Sequence, residues 1–189
     1  MAYQAALLWG FFAPRAKQPS VSLMTNVPDA FLESLTHTDH IALYRYWRSK
    51  CAPGALPSRA DIDPAALREL LPRIGLIDVL REPDGPAFRF RLAGTELVQR
   101  GGHDPTGRRF DELYRGEYLE TVQETYRHVA EMGEPLLTHR IYPLVPKREF
   151  LRYERLLLPL ARDGAYVDMV MLLVVVDRQR GSDNPRTNG

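Results

Sequence analysis

The chain has 189 residues, a length that suits one domain with short appendages and leaves little room for two. Its composition is 44% hydrophobic and 26% charged, close to that of an ordinary globular protein and far from disordered, fibrous or membrane chains. The net charge of +1 gives no broad basic surface for nucleic acid. The single cysteine, Cys51, allows neither an internal disulfide nor a site built from several thiolates, so the sequence predicts a cytoplasmic protein.

The two ends of the chain differ in composition from the middle. Residues 5–12 are mostly apolar, but a membrane span needs about 20 apolar residues, and the basic residues follow this run instead of preceding it as in a secretory signal. We therefore predict that residues 1–37 are an extension that is disordered or lies upstream of the natural start, with Met24 as an alternative start. Residues 178–189 are polar and predict a disordered tail. Residues 38–177 are predicted to form the folded domain.

Two leading helices are predicted before the first strand. The first spans about residues 39–50, where Thr38 or Asp39 can cap its start and an apolar stripe includes Tyr44 and Trp47. Asp63 and Pro64 open a second, short helix that ends at Pro72.

A hairpin follows, formed by strands at about residues 74–80 and 88–92. In the second strand, apolar residues alternate with two arginines. A period of two therefore predicts that Phe88, Phe90 and Leu92 lie on one sheet face and Arg89 and Arg91 on the other.

The second half of the domain begins with short helical pieces at residues 95–99 and 109–114 and a long helix at residues 117–132. Leu119, Val122 and Tyr126 lie on one face of this helix, and Gly133 suits the position after its end. Three strands are predicted next, at residues 136–142, 152–160 and 167–176. The last is nearly all apolar, which is typical of a central strand covered on both faces.

This order predicts an α+β fold with a five-stranded, mainly antiparallel sheet. The long helix and the small helices are expected to cover one face. The leading helix, through Tyr44 and Trp47, is expected to cover part of the other.

Several stretches of the chain resemble the PAS domain family, in particular a bacterial subfamily of short stand-alone PAS proteins. The resemblance covers about residues 38–177. Its stretches are Leu56-Pro-Ser-Arg-Ala-Asp-Ile-Asp-Pro64, Leu71-Pro-Arg-Ile-Gly-Leu-Ile-Asp-Val79, Phe90-Arg-Leu-Ala-Gly-Thr95, Asp104-Pro-Thr-Gly107 and Tyr153-Glu-Arg-Leu-Leu-Leu-Pro-Leu160 with Asp163-Gly164. It implies a sensory or protein-interaction module whose sheet and helices enclose a small-molecule cavity, and it implies no reaction.

The residues that could carry cofactor chemistry give little support for any one cofactor. A haem ligand would be an inward-facing histidine, but helical spacing predicts that His128 faces solvent. His103 and His139 remain formal candidates, although ordinary polar roles are favoured for both. A flavin-reactive cysteine would follow the second strand, whereas Cys51 precedes the first. No His, Cys, Asp and Glu set has a metal-ligand spacing, so the cofactor is left open and no metal site is predicted.

The leading functional hypothesis is a non-catalytic PAS-type sensor in bacterial signal transduction. It would bind a small molecule and contact a protein such as a signalling kinase or regulator, as a homodimer, without nucleic acid or membrane. The candidate cavity lining is Phe88, Phe90, Leu92, Leu119, Val122 and Tyr126, which would either line a cavity or fill it. The candidate partner-binding residues are Tyr44, Trp47, Arg89, Arg91 and Arg155.

Two alternatives stay open at this point. One is a small α+β-cone enzyme of the isomerase or dehydratase kind, for which Asp78 or Tyr142 could be nominated as an acid or base. The other is a purely structural interaction domain with a filled core. A further hypothesis is that the strand arginines Arg89, Arg91, Arg140, Arg152 and Arg155 converge on one sheet face to hold an acidic partner.

Overall fold

The computed structural model describes residues 29–144 and 149–179, with backbone alone at residues 141–144, 149–152 and 177–179. The predictions made for residues 1–28, including Met24, and for residues 180–189 lie outside the described residues. In the part of the chain that is described, no helix has both the length and the apolar character to cross a membrane.

Five strands of this part of the chain form one antiparallel sheet in the order β2-β1-β5-β4-β3. The strands are β1 (Ile74–Glu82), β2 (Gly85–Ala93), β3 (Leu136–Leu144), β4 (Glu149–Leu160) and β5 (Met169–Gln179). The predicted fold class is confirmed, and the nearly all-apolar last strand is the central one. It pairs with β1 on one side and with β4 on the other.

The helices fall into two groups in chain order. Before the sheet come α1 (Ala30–Ser34), α2 (Thr38–Lys50) and three 3₁₀ helices at Arg59–Asp61, Pro64–Leu67 and Leu71–Arg73. Between β2 and β3 come α3 (Thr95–Gly101), α4 (Phe110–Leu113) and α5 (Gly116–Met132).

The structure differs from the sequence prediction at three boundaries. The ordered chain does not begin at residue 38, because α1 precedes it and Leu35 is buried in the core. The N-cap of α2 is His37, whose ring accepts a hydrogen bond of 3.2 Å from the amide of Asp39, and not Thr38 or Asp39. At the other end of the domain, β5 continues to Gln179.

The leading helix α2 covers one face of the sheet, as predicted. Its side chains Leu43, Tyr44 and Trp47 are buried in a cluster with Leu158 and Met171 of the sheet. This burial of apolar surface is the main force that holds α2 in place.

Helices α4 and α5 cover the opposite face. Val122, Tyr126 and Val129 of α5 are buried against Leu157 and Leu172 of the sheet. Gly133, with φ of +65°, ends α5 in the left-handed conformation that glycine adopts without strain.

A β-bulge in the first hairpin corrects one face assignment. Leu76 pairs with Leu92, but the next residue, Ile77, pairs with Phe90, so Arg91 is the extra residue on β2. An extra residue reverses the alternation of side chains along a strand. Leu92 therefore lies on the α2 side of the sheet beside Leu76, while Phe88 and Phe90 lie on the α5 side.

Candidate functional site

The space between the sheet and α5 is filled by aromatic rings. Phe110 of α4 lies 5.6 Å from Phe88, 5.3 Å from Phe90 and 5.0 Å from Tyr126, measured between ring centroids. Phe88 and Phe110 are each 1% exposed and Tyr126 is 2% exposed. The predicted lining residues Phe88, Phe90, Val122 and Tyr126 are thus brought together, with Leu119 partly buried beside them, and they pack against one another.

An open groove of about 450 Å³ lies on the α2 side of the sheet. Its floor is formed by side chains of the sheet, including Leu76 and Met171, and its walls by the 3₁₀ segment at residues 59–73. The lining is mainly apolar, and Arg59 and Arg68 are its two charged members. Leu92, which was predicted to line the other face, is 43% exposed at this groove.

A close backbone approach fixes one wall of the groove. Gly94, at the junction of β2 and α3, lies so near the segment that a Cβ atom there would be 2.4 Å from the carbonyl oxygens of both Leu71 and Pro72. No other residue type fits at this position without moving the backbone. The same glycine donates its amide to the carbonyl of Ile74 at 2.8 Å.

The 3₁₀ segment is held by local polar contacts. The Ser58 hydroxyl donates to Asp61 at 2.7 Å, and the pKa of Asp61 is lowered mainly by its hydrogen bonds to Ser58. Asp63 accepts from the amide of Ala65 at 2.9 Å, as its predicted capping role requires. Arg59 donates to the carbonyl of Ile62 at 2.9 Å.

A salt bridge connects this segment to the leading helix. Arg73, at the end of the segment, donates to Asp39 in the first turn of α2 at 2.5 Å. This contact joins the end of the segment directly to the first turn of α2.

The structure corrects the partner-binding assignment of Tyr44 and Trp47. They are 5% and 3% exposed, since both face the sheet. The Trp47 indole donates to the carbonyl of Pro159 at 2.9 Å, and the Tyr44 hydroxyl donates to Asp29 at 2.7 Å. Burial and the bond to Asp29 raise the pKa of Tyr44. Both side chains are therefore part of the core between α2 and the sheet.

The strand arginines do not converge on one face. Arg89 and Arg91 both bind the carboxylate of Asp78, each at 2.8 Å, and this pairing raises the pKa of Arg91. These three residues lie on the first hairpin, near the β2 edge of the sheet. Arg155 lies on β4, on the α5 side, so the structure does not support the hypothesis of one arginine face. The side chains of Arg152 and Tyr142 lie outside the described part.

This pairing also bears on the enzyme alternative. Asp78 is 5% exposed and engages two guanidinium groups, so its carboxylate is already held in a structural ion pair. Arg89 occupies one of its carboxylate oxygens and Arg91 the other.

The histidine and cysteine candidates take ordinary positions. His103 and His128 are exposed, as predicted for His128, and His139 is exposed with its ring 3.3 Å from Glu154. Cys51 caps the end of α2, and burial raises the pKa of its thiol. Among the described side chains, no group of three His, Cys, Asp or Glu residues is arranged to hold a metal ion.

A polar cluster lies beside the aromatic core, where Arg155 is 8% exposed among tyrosines. Its Nε donates to the Thr138 hydroxyl at 3.2 Å, and its guanidinium stands 5.8 Å from the centroid of Tyr153. Burial raises the pKa of Tyr114 to about 12 and also raises the pKa of Tyr126 and Tyr153. The positive charge of Arg155 lowers the pKa of all three tyrosines and so opposes the effect of burial.

Sequence reasoning missed most of the groove residues, including Ile62, Leu67, Leu76 and Met171. One feature of the sequence could have identified the groove residues that belong to the sheet. A central strand covered on both faces must send alternate side chains toward the leading helices, and Met169, Met171 and Leu173 are that set in β5.

A family model for the PAS domain matches residues 35–174, which is most of the chain and includes both sheet faces and the groove. The chain belongs to the PAS domain family. The match to this PAS domain starts at Leu35, close to the buried start of the leading helices.

Solved structures similar to this PAS domain include a LOV protein of Rhodobacter sphaeroides, with 17% identity and a TM-score of 0.42 over 61% of this chain and 68% of that one. A fungal LOV-domain photoreceptor is similar at 15% identity and a TM-score of 0.36, over 62% of this chain and 94% of that one. Among proteins of curated function, none is detectably similar to this sequence.

Proposed function

We propose that this PAS domain is a non-catalytic sensory module that binds a small molecule in the groove on its α2 side and passes the signal through the leading helix to a protein partner in bacterial signal transduction. The observation that carries the proposal is the groove itself. Its volume of about 450 Å³ falls within the range of roughly 300–1,000 Å³ that is usual for small-molecule sites. The space under α5, in contrast, is occupied by aromatic rings.

The lining of the groove defines the ligand class. Leu67, Leu76 and Met171 offer an apolar surface, which favours a ligand with an apolar body. Arg59 and Arg68 are the charged residues of the lining, and guanidinium groups favour carboxylate, sulfonate or phosphate groups. The expected ligand is therefore amphipathic, with an apolar body and one anionic end.

The groove wall is built to respond to a ligand. It consists of three 3₁₀ helices of three or four residues each, and elements this short depend on local caps more than on deep packing. A ligand that fits one arrangement of this wall better than another shifts the population toward that arrangement. The Arg73 to Asp39 salt bridge carries the shift to α2.

The test uses anilinonaphthalene sulfonate, whose aromatic body and sulfonate match this ligand class, and follows its fluorescence during titration. L92E puts a carboxylate beside the groove at a position that is already 43% exposed, so folding is expected to survive. The expected result is an affinity at least about tenfold lower, which corresponds to about 1.4 kcal/mol.

The matched control is M132E, because Met132 is 44% exposed at the end of α5 and does not line the groove. M132E is expected to bind the probe as the unmodified protein does. Equal affinity in L92E and the unmodified protein would overturn the groove assignment. Native mass spectrometry of the purified protein is a second test. A stoichiometric bound mass that is present in the unmodified protein and absent from L92E supports the proposal.

A further inference from the structure

The polar cluster around Arg155 lies on the opposite face of the sheet from the groove. It contains two arginines, Arg140 and Arg155. Arg140 of β3 pairs with Tyr153 of β4, two positions along the strand from Arg155, so both arginines flank the same tyrosine on the α5 side. Arg140 also lowers the pKa of Tyr153, against the larger effect of burial. By this register Arg140 and Arg155 are diagonal cross-strand neighbours on the same face, with about 7–8 Å between such positions.

These two arginines have no carboxylate partner in the part of the structure where side chains are described. Neither forms a salt bridge within 4.0 Å there, although Arg155 is 8% exposed. The neighbouring Glu154 points to the other face, where it meets His139 at 3.3 Å and His40 at 3.5 Å. A buried arginine without a counter-charge is unusual, because taking a charge out of water costs several kcal/mol.

Tyrosine hydroxyls complete the cluster with neutral donors. Tyr114 and Tyr118 are in edge contact, with ring centroids 5.2 Å apart, and Tyr118 is 48% exposed at the outer side. Tyr118 also lies near enough to Tyr153 to raise its pKa. A neutral hydroxyl donates well to an anion, and two forked guanidinium groups bind carboxylate or phosphate oxygens in pairs.

We propose that Arg140 and Arg155, with the hydroxyls of Tyr118 and Tyr153, form a binding site for a small oxyanion, a carboxylate or a phosphate, entered past Tyr118. The anion supplies the counter-charge that the described chain does not. The site is independent of the groove, because the sheet separates them. Loss of probe binding in L92E and loss of anion binding here are therefore distinguishable.

The experiment measures binding of inorganic phosphate and of succinate by calorimetry and by thermal shift, each against sodium chloride at matched ionic strength. One anion or both should bind with a defined stoichiometry and raise the melting temperature beyond the effect of chloride, and the comparison identifies the oxyanion class. No effect of either anion beyond chloride would overturn the site.

Three variants place the site. R155M removes the buried charge, and R140M and Y118F change half-buried or exposed positions, which keeps the test valid if R155M does not fold. Each is expected to weaken anion binding at least fivefold. The control R127M changes an exposed arginine on α5 and should bind as the unmodified protein does. Unchanged binding in both R140M and Y118F would show that the anion binds elsewhere and would overturn the proposal.

Discussion

Trp47 of α2 and the carbonyl of Pro159 of β4 form a buried hydrogen bond of 2.9 Å that ties the leading helix to the sheet. The bond joins residues that are far apart in the sequence and adds direction to an apolar contact. It also makes Trp47 a structural residue first, so any effect of its substitution on signalling has to be separated from loss of stability.

The two parts of this contact can be measured separately. W47F keeps most of the ring but leaves the Pro159 carbonyl without its donor, and we expect a loss of about 1–3 kcal/mol in the free energy of unfolding. W47A also removes the ring, and the expected loss is about 3–5 kcal/mol. Urea unfolding checks both values. R45A, at an exposed position of α2, is the control and should lie within about 0.5 kcal/mol of the unmodified protein.

The close approach of Gly94 to the 3₁₀ segment can be tested by adding a single methyl group. G94A would put a methyl group 2.4 Å from two backbone carbonyl oxygens, and backbone cannot move aside as a flexible side chain can. We expect a loss of about 3 kcal/mol in the free energy of unfolding. At Gly101, a Cβ atom would meet nothing within 4 Å, so G101A should be neutral or stabilising. Equal effects of the two substitutions on thermal unfolding would contradict the close approach.

At the level of elements, a partly buried ion pair joins the 3₁₀ segment to α2, beside apolar contacts and a hydrogen bond of 2.7 Å from the Asp63 amide to the Tyr46 hydroxyl. The side chains of Arg73 and Asp39 are 23% and 28% exposed, and pairs of this kind contribute little stability, about 0–1 kcal/mol. For the proposed sensor, this ion pair matters because it joins the groove wall to α2. A weak ion pair can break and re-form as the groove wall moves.

D39A tests that connection. The substitution leaves the groove lining intact, so we expect the affinity for anilinonaphthalene sulfonate to stay within about twofold. In the unmodified protein, saturation with the probe should slow amide hydrogen exchange in α2, and in D39A this slowing should disappear. E33A, at an exposed position of α1, is the control. Retained slowing in D39A would show that the signal reaches α2 by another route.

For the whole molecule, burial of ionisable groups on both faces of the sheet limits stability at both ends of the pH scale. On the α2 side, burial lowers the pKa of His40, although Glu154, 3.5 Å away, partly opposes the effect. His37 adds to the lowering and Asp39 opposes it. On the α5 side, burial raises the pKa of Tyr114 and Tyr126.

The signs of these shifts predict the shape of the stability curve. Below about pH 6.5, His40 takes up a proton in the unfolded chain more readily than in the folded one, so the free energy of unfolding should fall as the pH drops. Above about pH 10, the buried tyrosines lose protons more readily when unfolded, so it should fall again as the pH rises.

Urea unfolding at several pH values checks this curve. H40L should flatten its acid limb between about pH 7.5 and pH 5.5, while H128Q, at an exposed position, should leave it unchanged. An acid limb that is equally steep in H40L would show that another group is responsible.

Much of this architecture could be predicted from the sequence. The apolar run in β5 indicated a strand covered on both faces, and the stripe with Trp47 indicated a helix that covers the sheet; both predictions are confirmed. The long helix was predicted within one residue of its bounds, because its apolar period and Gly133 agree.

The remaining features depend on neighbours that are distant in the sequence. Leu92 was assigned to the wrong face because the bulge at Arg91 is a property of the β1 to β2 register and not of β2 alone. Whether the strand arginines share a face depends on the order of the strands, and β5 separates β1 from β4. The groove joins the 3₁₀ segment, β2 and β5, and no local pattern reveals such a junction.

The central position of β5 has a consequence for how the protein is made. Strands β1 with β2 and β3 with β4 can each form a hairpin as soon as they are synthesised, but only β5 joins the two hairpins into one sheet. Its pairing with β1 closes a loop of roughly one hundred residues, a slow event by the contact-order relation. Until β5 has been synthesised, each hairpin therefore keeps an unpaired strand edge, and such edges make a partly folded chain prone to aggregation.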